Sequence, residues 1–209
     1  MKKILVVDTA ASKTGALSVL QDFAAYIREN EHENEWHFLT GAEGLVEECD
    51  NLHVMVQKDV KESRIKRLHF EHFSGAGFLS DLEADVVFSL QNTMPRGKIR
   101  NRNGYARKVL YVHQPLGFQN LRRFSFMKNE ERHYAVYQHL ISREINASVK
   151  RSDEIIVQTE WMRKAVIEKA EIIKAYVVNK GMKEISLKLG DLTDDERTII
   201  TSGCLINYY

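Results

Sequence analysis

The chain has 209 residues, 44% of them hydrophobic and 28% charged, enough for one domain with a substantial core and a possible appendage. The formal net charge of +1 hides an uneven distribution, because residues 86–129 carry nine Lys and Arg and not one Asp or Glu. Acid gathers instead at residues 29–35, 47–50 and 191–196, so the balanced total does not exclude an anionic ligand or surface.

Residues 4–7, Ile-Leu-Val-Val, are a continuous apolar run ending at Asp8-Thr9, the pattern of a strand covered on both faces and hence of a parallel sheet. After a polar link, Leu17, Leu20, Phe23, Ala24 and Ile27 recur at helical spacing, with Ser12 or Thr14 as N-cap. Residues 36–39 and 52–56 read as two further strands. Residues 63–73 form a basic amphipathic surface helix leading to Gly75 and Gly77, and residues 85–90 return to buried strand. Residues 96–108 are rich in Arg, Lys, Asn and Gly, and a mobile loop is expected there.

Residues 109–112, Val-Leu-Tyr-Val, give the next strand, and they run into His113, Gln114 and Pro115. The two prolines of the chain, Pro95 and Pro115, each follow a central strand, which puts both loops on one edge of a parallel sheet. Asn129 is expected to cap a helix whose apolar face carries Tyr134, Tyr137, Ile141, Ile145 and Val149. Residues 152–157 are a strand, Thr159 caps a helix over residues 160–170, and residues 175–178 are one more strand. Strands alternating with helices imply an α/β fold: a doubly wound, mainly parallel Rossmann-like sheet with helices on both faces.

Several chemistries lack their residues. Cys49 and Cys204 stand alone, which gives no disulfide framework or metal motif and fits a reducing, cytoplasmic setting. The Met-Lys-Lys start imitates a secretory signal, but Asp8 interrupts the apolar run after four residues. No nucleophile elbow or paired-His metal spacing is present; His69 and His72 read as a solvated helix face. The loop before Gly15 is neither a P-loop nor Gly-x-Gly-x-x-Gly, although a glycine at a helix N-terminus suits an anion.

What remains is a polar group at a strand exit. In open α/β sheets ligands bind outside the carboxyl ends of the strands, which makes His113 a site candidate. Arg96, Lys98, Arg100, Arg102, Arg122 and Arg123, interleaved with Phe118, Phe124 and Phe126, form a basic surface suited to an anionic membrane or a phosphorylated acceptor. Single-stranded nucleic acid would also suit it, but neither the strand-end histidine nor the helix N-terminus has a part in that reading.

The strand ending His113-Gln114-Pro115, the stretch Ser152-Asp153-Glu154-Ile155-Ile156-Val157-Gln158-Thr159-Glu160-Trp161-Met162, and the opening strand with a loop glycine before a long helix resemble one known arrangement. They are similar to the N-terminal domain of retaining glycosyltransferases of the GT-B architecture, the glycosyltransferase group 1 family, over residues 1–180. The resemblance implies transfer from a nucleotide-sugar donor to a saccharide or lipid-linked acceptor, with no cofactor and no metal. It also implies Gly15 near the donor diphosphate, His113 as the catalytic residue beside the transferred sugar, Gln91, Asn92, Gln114 and Thr159 as looser cleft residues, and the acceptor along residues 91–128. Peripheral contact with the inner face of an anionic membrane goes with such an acceptor.

The family commonly has two glycines in the first loop, where this chain has Gly15 alone. By composition residues 181–197 are a linker, and residues 198–209 begin a fresh apolar strand. The expectation is that this strand opens a missing C-terminal donor-binding domain and that the chain alone is inactive. The alternative is a free-standing Rossmann-like module that binds a phosphorylated or nucleotide ligand without catalysis.

Overall fold

The computed structural model describes residues 1–11, 15–170 and 176–177. In chain order the elements are β1 Lys3–Asp8, α1 Gly15–Asn30, β2 Glu35–Thr40, β3 Leu52–Val56, α2 Lys58–Glu62 and α3 Arg64–His69. A π-helical turn Phe70–Ser74 leads into α4 Gly75–Asp81, followed by β4 Val86–Ser89 and the short hairpin of β5 Arg100–Asn101 and β6 Gly104–Tyr105. Then come β7 Arg107–Val112, α5 Arg132–Ala135, a second π-helical turn Val136–Ile141, α6 Ser142–Arg151, β8 Glu154–Val157, α7 Glu160–Ala170 and β9 Tyr176–Val177.

The main sheet has the order β3-β2-β1-β4-β7-β8-β9, and every pairing in it is parallel. Helices cover both faces, so the expected α/β, doubly wound Rossmann-like fold is present. The apolar runs read from sequence are continuous where a central strand buries both faces, as β1, β4, β7 and β8 do. Leu5 and Val7 pack among Leu79, Leu110, Ile145, Val157 and Val166 on one side, while Ile4 and Val6 pack against α1 on the other. On the α1 side Phe23 meets Trp36 and Phe88 edge to face, with centroids 5.7 Å apart in each pair.

Several local expectations change. The basic helix does not stop before Gly75. It continues through the π-helical turn to Asp81, because a Cβ on Gly75 would lie 2.4 Å from the Phe70 carbonyl oxygen and 3.0 Å from Pro95 Cβ. Glycine therefore lets the helix lie against the loop after β4. Asn129 is not a cap: α5 starts at Arg132, and the Glu131 carboxylate instead accepts from Ser125 N at 2.9 Å and Arg122 Nη2 at 2.8 Å. The π-helical turn then adds residues to the repeat and rotates the buried face. Ala135, Gln138, Ser142, Ile145, Ser148 and Val149 are buried, and Tyr134 faces outward.

Residues 96–108 are an ordered return rather than a loose loop. Ile99 and Ala106 are buried, Arg100 N donates to Ser80 Oγ at 2.8 Å, and β7 begins at Arg107, two residues before the expected start. The proposed caps Ser12 and Thr14, the linker 181–197 and the strand 198–209 lie outside the described residues. Only Tyr176 and Val177 of the expected strand at 175–178 are described, paired to β8.

Candidate ligand site at the carboxyl edge of the sheet

Strand order steps away from β1 in both directions, through β2 on one side and β4 on the other, so the topological switch point lies between β1 and β4. Polar groups gather where these strands and β7 and β8 end. Gln91 is buried, and its Oε1 accepts from Thr9 N at 3.2 Å and Thr9 Oγ1 at 3.0 Å, tying the exit of β4 to that of β1. Asn92 adopts a left-handed backbone, φ 63°, which asparagine tolerates better than most residues. That conformation lets Oδ1 accept from His113 N at 2.8 Å and Gln114 N at 2.9 Å, while Nδ2 lies 3.0 Å from His113 Nε2.

This arrangement fixes the state of His113. Because Asn92 Oδ1 is held by two backbone donors, its amide nitrogen must face the ring, and Nε2 can only accept. The neutral ring then carries its proton on Nδ1. Burial strips water from the charged form and holds the His113 pKa down to about 4, so the ring is uncharged at neutral pH. The Nδ1 atom is itself buried and has no hydrogen-bond partner among the described residues. Tyr111 supports the ring from the same strand face, centroids 5.5 Å apart.

A second buried donor lies at the exit of the neighbouring strand. Val112 pairs with Val157, so His113 and Gln158 are the first residues beyond the last paired positions of two adjacent strands, and Asn92 reaches the same exit through its bonds to His113. Gln158 Nε2 is also buried without a partner among the described residues. An unsatisfied buried donor costs on the order of 1–3 kcal/mol, and an acceptor oxygen brought to the group would relieve that cost. The group is therefore fitted to hold uncharged oxygen acceptors; it does not supply an acid at neutral pH.

Beneath the β1 exit lies a charged chain. Asp8 is 2% exposed and accepts from Ala11 N at 3.0 Å. Burial pushes its carboxyl pKa up to about 6, against the opposing pull of the Ala11 and Ala10 backbone N–H groups and the Arg67 guanidinium. Arg67 Nε donates to Glu71 Oε1 at 3.1 Å, and the same buried carboxylate accepts from Thr93 Oγ1 at 3.0 Å. Gly41, at the exit of β2, sits so close that an added Cβ would be 2.2 Å from the Thr9 carbonyl oxygen.

The sequence candidates separate accordingly. His113 and Asn92 form one hydrogen-bonded unit with the Gln114 backbone, whereas the Gln91 carbonyl oxygen is spent on Thr9. Thr159 caps α7, its Oγ1 accepting from Met162 N at 3.4 Å, and Gly15 opens α1 at the same edge of the sheet. Gln114 Oε1 turns back to Leu116 N at 3.3 Å. Asp8 and Gln158 were missed. Asp8 carried the same signal as His113, the first polar residue after a buried run, but nothing in the sequence marks Gln158 as an amide left unpartnered.

The basic surface is not the continuous acceptor path expected along residues 91–128. A parallel β4–β7 pair requires the chain to return from the carboxyl edge to the amino edge, and residues 96–106 make that return along α4. Arg100 and Arg102 therefore lie towards the edge opposite His113, with Arg102 Nε on Glu83 at 2.6 Å and Lys98 over the Tyr105 ring at 4.7 Å. Acids from outside the block also meet its cations: Arg96 pairs with Glu144 at 3.2 Å, Arg122 with Glu131, and Arg107 with Glu154. Arg123 is exposed near the carboxyl side, beyond β7.

Two cavities do not include His113 or Gln158, although the second borders the β2 exit. One of about 240 Å³ is formed by α1 and residues 44–47, and another of about 490 Å³ is bordered by Gly41, Glu43, Lys58 and Lys61. Among the described residues no group of three or more His, Cys, Asp or Glu is placed to hold a metal ion, and no helix is long and apolar enough to cross a membrane. Compared with known proteins, the chain matches no protein-family model and no curated protein.

Proposed function

We propose that this chain is the acceptor-side domain of a retaining glycosyltransferase, moving a sugar from a nucleotide-sugar donor to a saccharide or lipid-linked acceptor. The observation that carries the reading is the group Asn92, His113, Gln158, with two buried, uncharged donors at neighbouring strand exits and no partner for either among the described residues. Sugar hydroxyls are uncharged acceptors of matching kind. The location at the carboxyl ends of a doubly wound sheet supports it, as does the sequence resemblance over residues 1–180.

In this reading neutral His113 donates through Nδ1 to a hydroxyl of the transferred sugar, and Asn92 is the positioning residue that keeps the proton on that nitrogen. Gln158 donates to a neighbouring oxygen. The N-terminus of α1 at Gly15 faces the donor diphosphate, whose departure is an electrostatic task shared with a second domain. Transfer itself needs a donor-binding domain beside this one.

The test is NMR titration of the ¹⁵N-labelled chain with neutral saccharides, nucleotide sugars and inorganic phosphate. A saccharide or nucleotide sugar should shift the His113 ring and Gln158 amide signals, and both His113→Ala and Gln158→Leu should weaken binding about tenfold or more. Silence from every sugar overturns the reading. Phosphate alone perturbing the start of α1 replaces it with the phosphate-binding module.

A further inference from the structure

Within residues 119–140, backbone polar groups of residues 122–125 are held by side chains of residues 131–139. Buried Gln138 accepts from Phe124 N at 2.9 Å and donates to Arg122 O at 2.7 Å, His139 Nε2 meets Phe124 O at 3.1 Å, and Glu131 holds Ser125 N. Ring contacts add to the clamp, Phe124 with Tyr134 at 5.1 Å and Phe126 with His139 at 5.5 Å. Among its exposed side chains are five large apolar ones. Leu121 is 99% exposed, Met127 90%, and Leu140, Tyr134 and Phe126 roughly half.

A segment held in shape by buried hydrogen bonds, yet exposing aliphatic and aromatic tips to water, is incomplete as a free surface. Its rim is basic: Arg122, Arg123, Lys128 and Arg132 are exposed, against Glu130 and Glu131, and Glu131 is already occupied by Arg122 and Lys128. Projecting single apolar side chains ringed by cations fit the boundary of headgroups and acyl chains better than they fit the flat, contiguous patch of a protein interface. We infer that residues 119–140 dock the protein peripherally on an anionic lipid bilayer, with Leu121 and Met127 inserted and the Arg and Lys side chains on the headgroups.

The docking does not rest on the glycosyl-transfer reading. The loop follows His113 and Gln114 within a few residues, so a docked protein holds its carboxyl-edge site close to the lipid surface.

Vesicle co-sedimentation of the 209-residue chain tests it. Binding to phosphatidylglycerol-rich vesicles should exceed binding to phosphatidylcholine vesicles by about tenfold or more and fall with added salt. The double variant L121S/M127S should lose about tenfold or more of that binding, and Arg123→Gln about fivefold. Tyr105→Ser, an exposed aromatic on the distant hairpin, should leave binding unchanged; unchanged thermal melts confirm that the variants fold. Absence of binding to anionic vesicles overturns the proposal, as does equal binding by L121S/M127S. Self-association that vanishes in L121S/M127S, without vesicle binding, assigns the loop to a second copy of this chain and overturns it too.

Discussion

The two edges of the sheet use similar side chains for different ends. At the amino edge Asp85 accepts from Lys3 N at 2.9 Å, Asp153 from Lys108 N at 2.7 Å, and Asn34 from Lys2 N at 3.0 Å. Each closes a backbone donor at the start of a neighbouring strand. At the carboxyl edge Asp8 is buried with a raised pKa, His113 is buried with a lowered one, and the donors of His113 and Gln158 stay open. Polar groups that finish the backbone are structure; Trp36 Nε1 and Asn146 Oδ1 are also buried without a partner among the described residues, so what singles out His113 and Gln158 is an unpartnered donor at a strand exit.

The largest effect should come from Asn92, which finishes backbone donors and also meets the His113 ring. Asn92→Ala strands the His113 and Gln114 N–H groups and leaves a left-handed alanine, costing about 3 kcal/mol in urea unfolding. Asn92→Asp keeps the acceptor for those N–H groups but turns an oxygen towards Nε2. The ring should then bind a proton more readily, and His113 should titrate well above 4 when its ring C–H signals are followed by NMR. A ring that still titrates near 4 would break the tautomer assignment.

Next in size is a pH effect that the wild type conceals. Asp8 has a folded pKa above its ordinary 3.8, so between there and about 6 the fold binds the proton more tightly than the unfolded chain, and stability falls as pH rises. His113 is lowered from 6.5 to about 4, so across that window the unfolded chain holds the proton and stability rises with pH. Their slopes oppose and nearly cancel between about 4 and 6. Asp8→Asn should uncover a rise of up to about 1.4 kcal/mol per pH unit there and add about 1–2 kcal/mol near neutrality. Denaturant unfolding at several pH values reads both. The smallest effect belongs to the amino edge: Asp85→Asn keeps an acceptor for Lys3 N and should cost less than about 1 kcal/mol.

Much of the fold was legible because buried parallel strands leave uninterrupted apolar runs; residues 4–7 and 109–112 need no context to be read. The π-helical turns were not, since an extra residue in the repeat is chosen by packing, here of Gly75 on Pro95 and of Ser142 under residue 117. The basic block misled for a related reason. Charge counted along the chain ignores partners such as Glu83, Glu144 and Glu154, which arrive from other elements.

The sequence by itself determined the alternation of strands and helices, the two-sided burial of the sheet, and the placing of His113 at a strand exit, because each follows from local patterns of apolar and polar residues. Only the tertiary structure decided that Arg100 and Arg102 face away from that exit and that Asn92 sets the tautomer of His113. It also decided that Gln158 lies at the strand exit next to that of His113, and that Asp8 lies deep enough to hold a proton near pH 6. Those facts depend on register and burial, and both are properties of neighbours far apart in the chain.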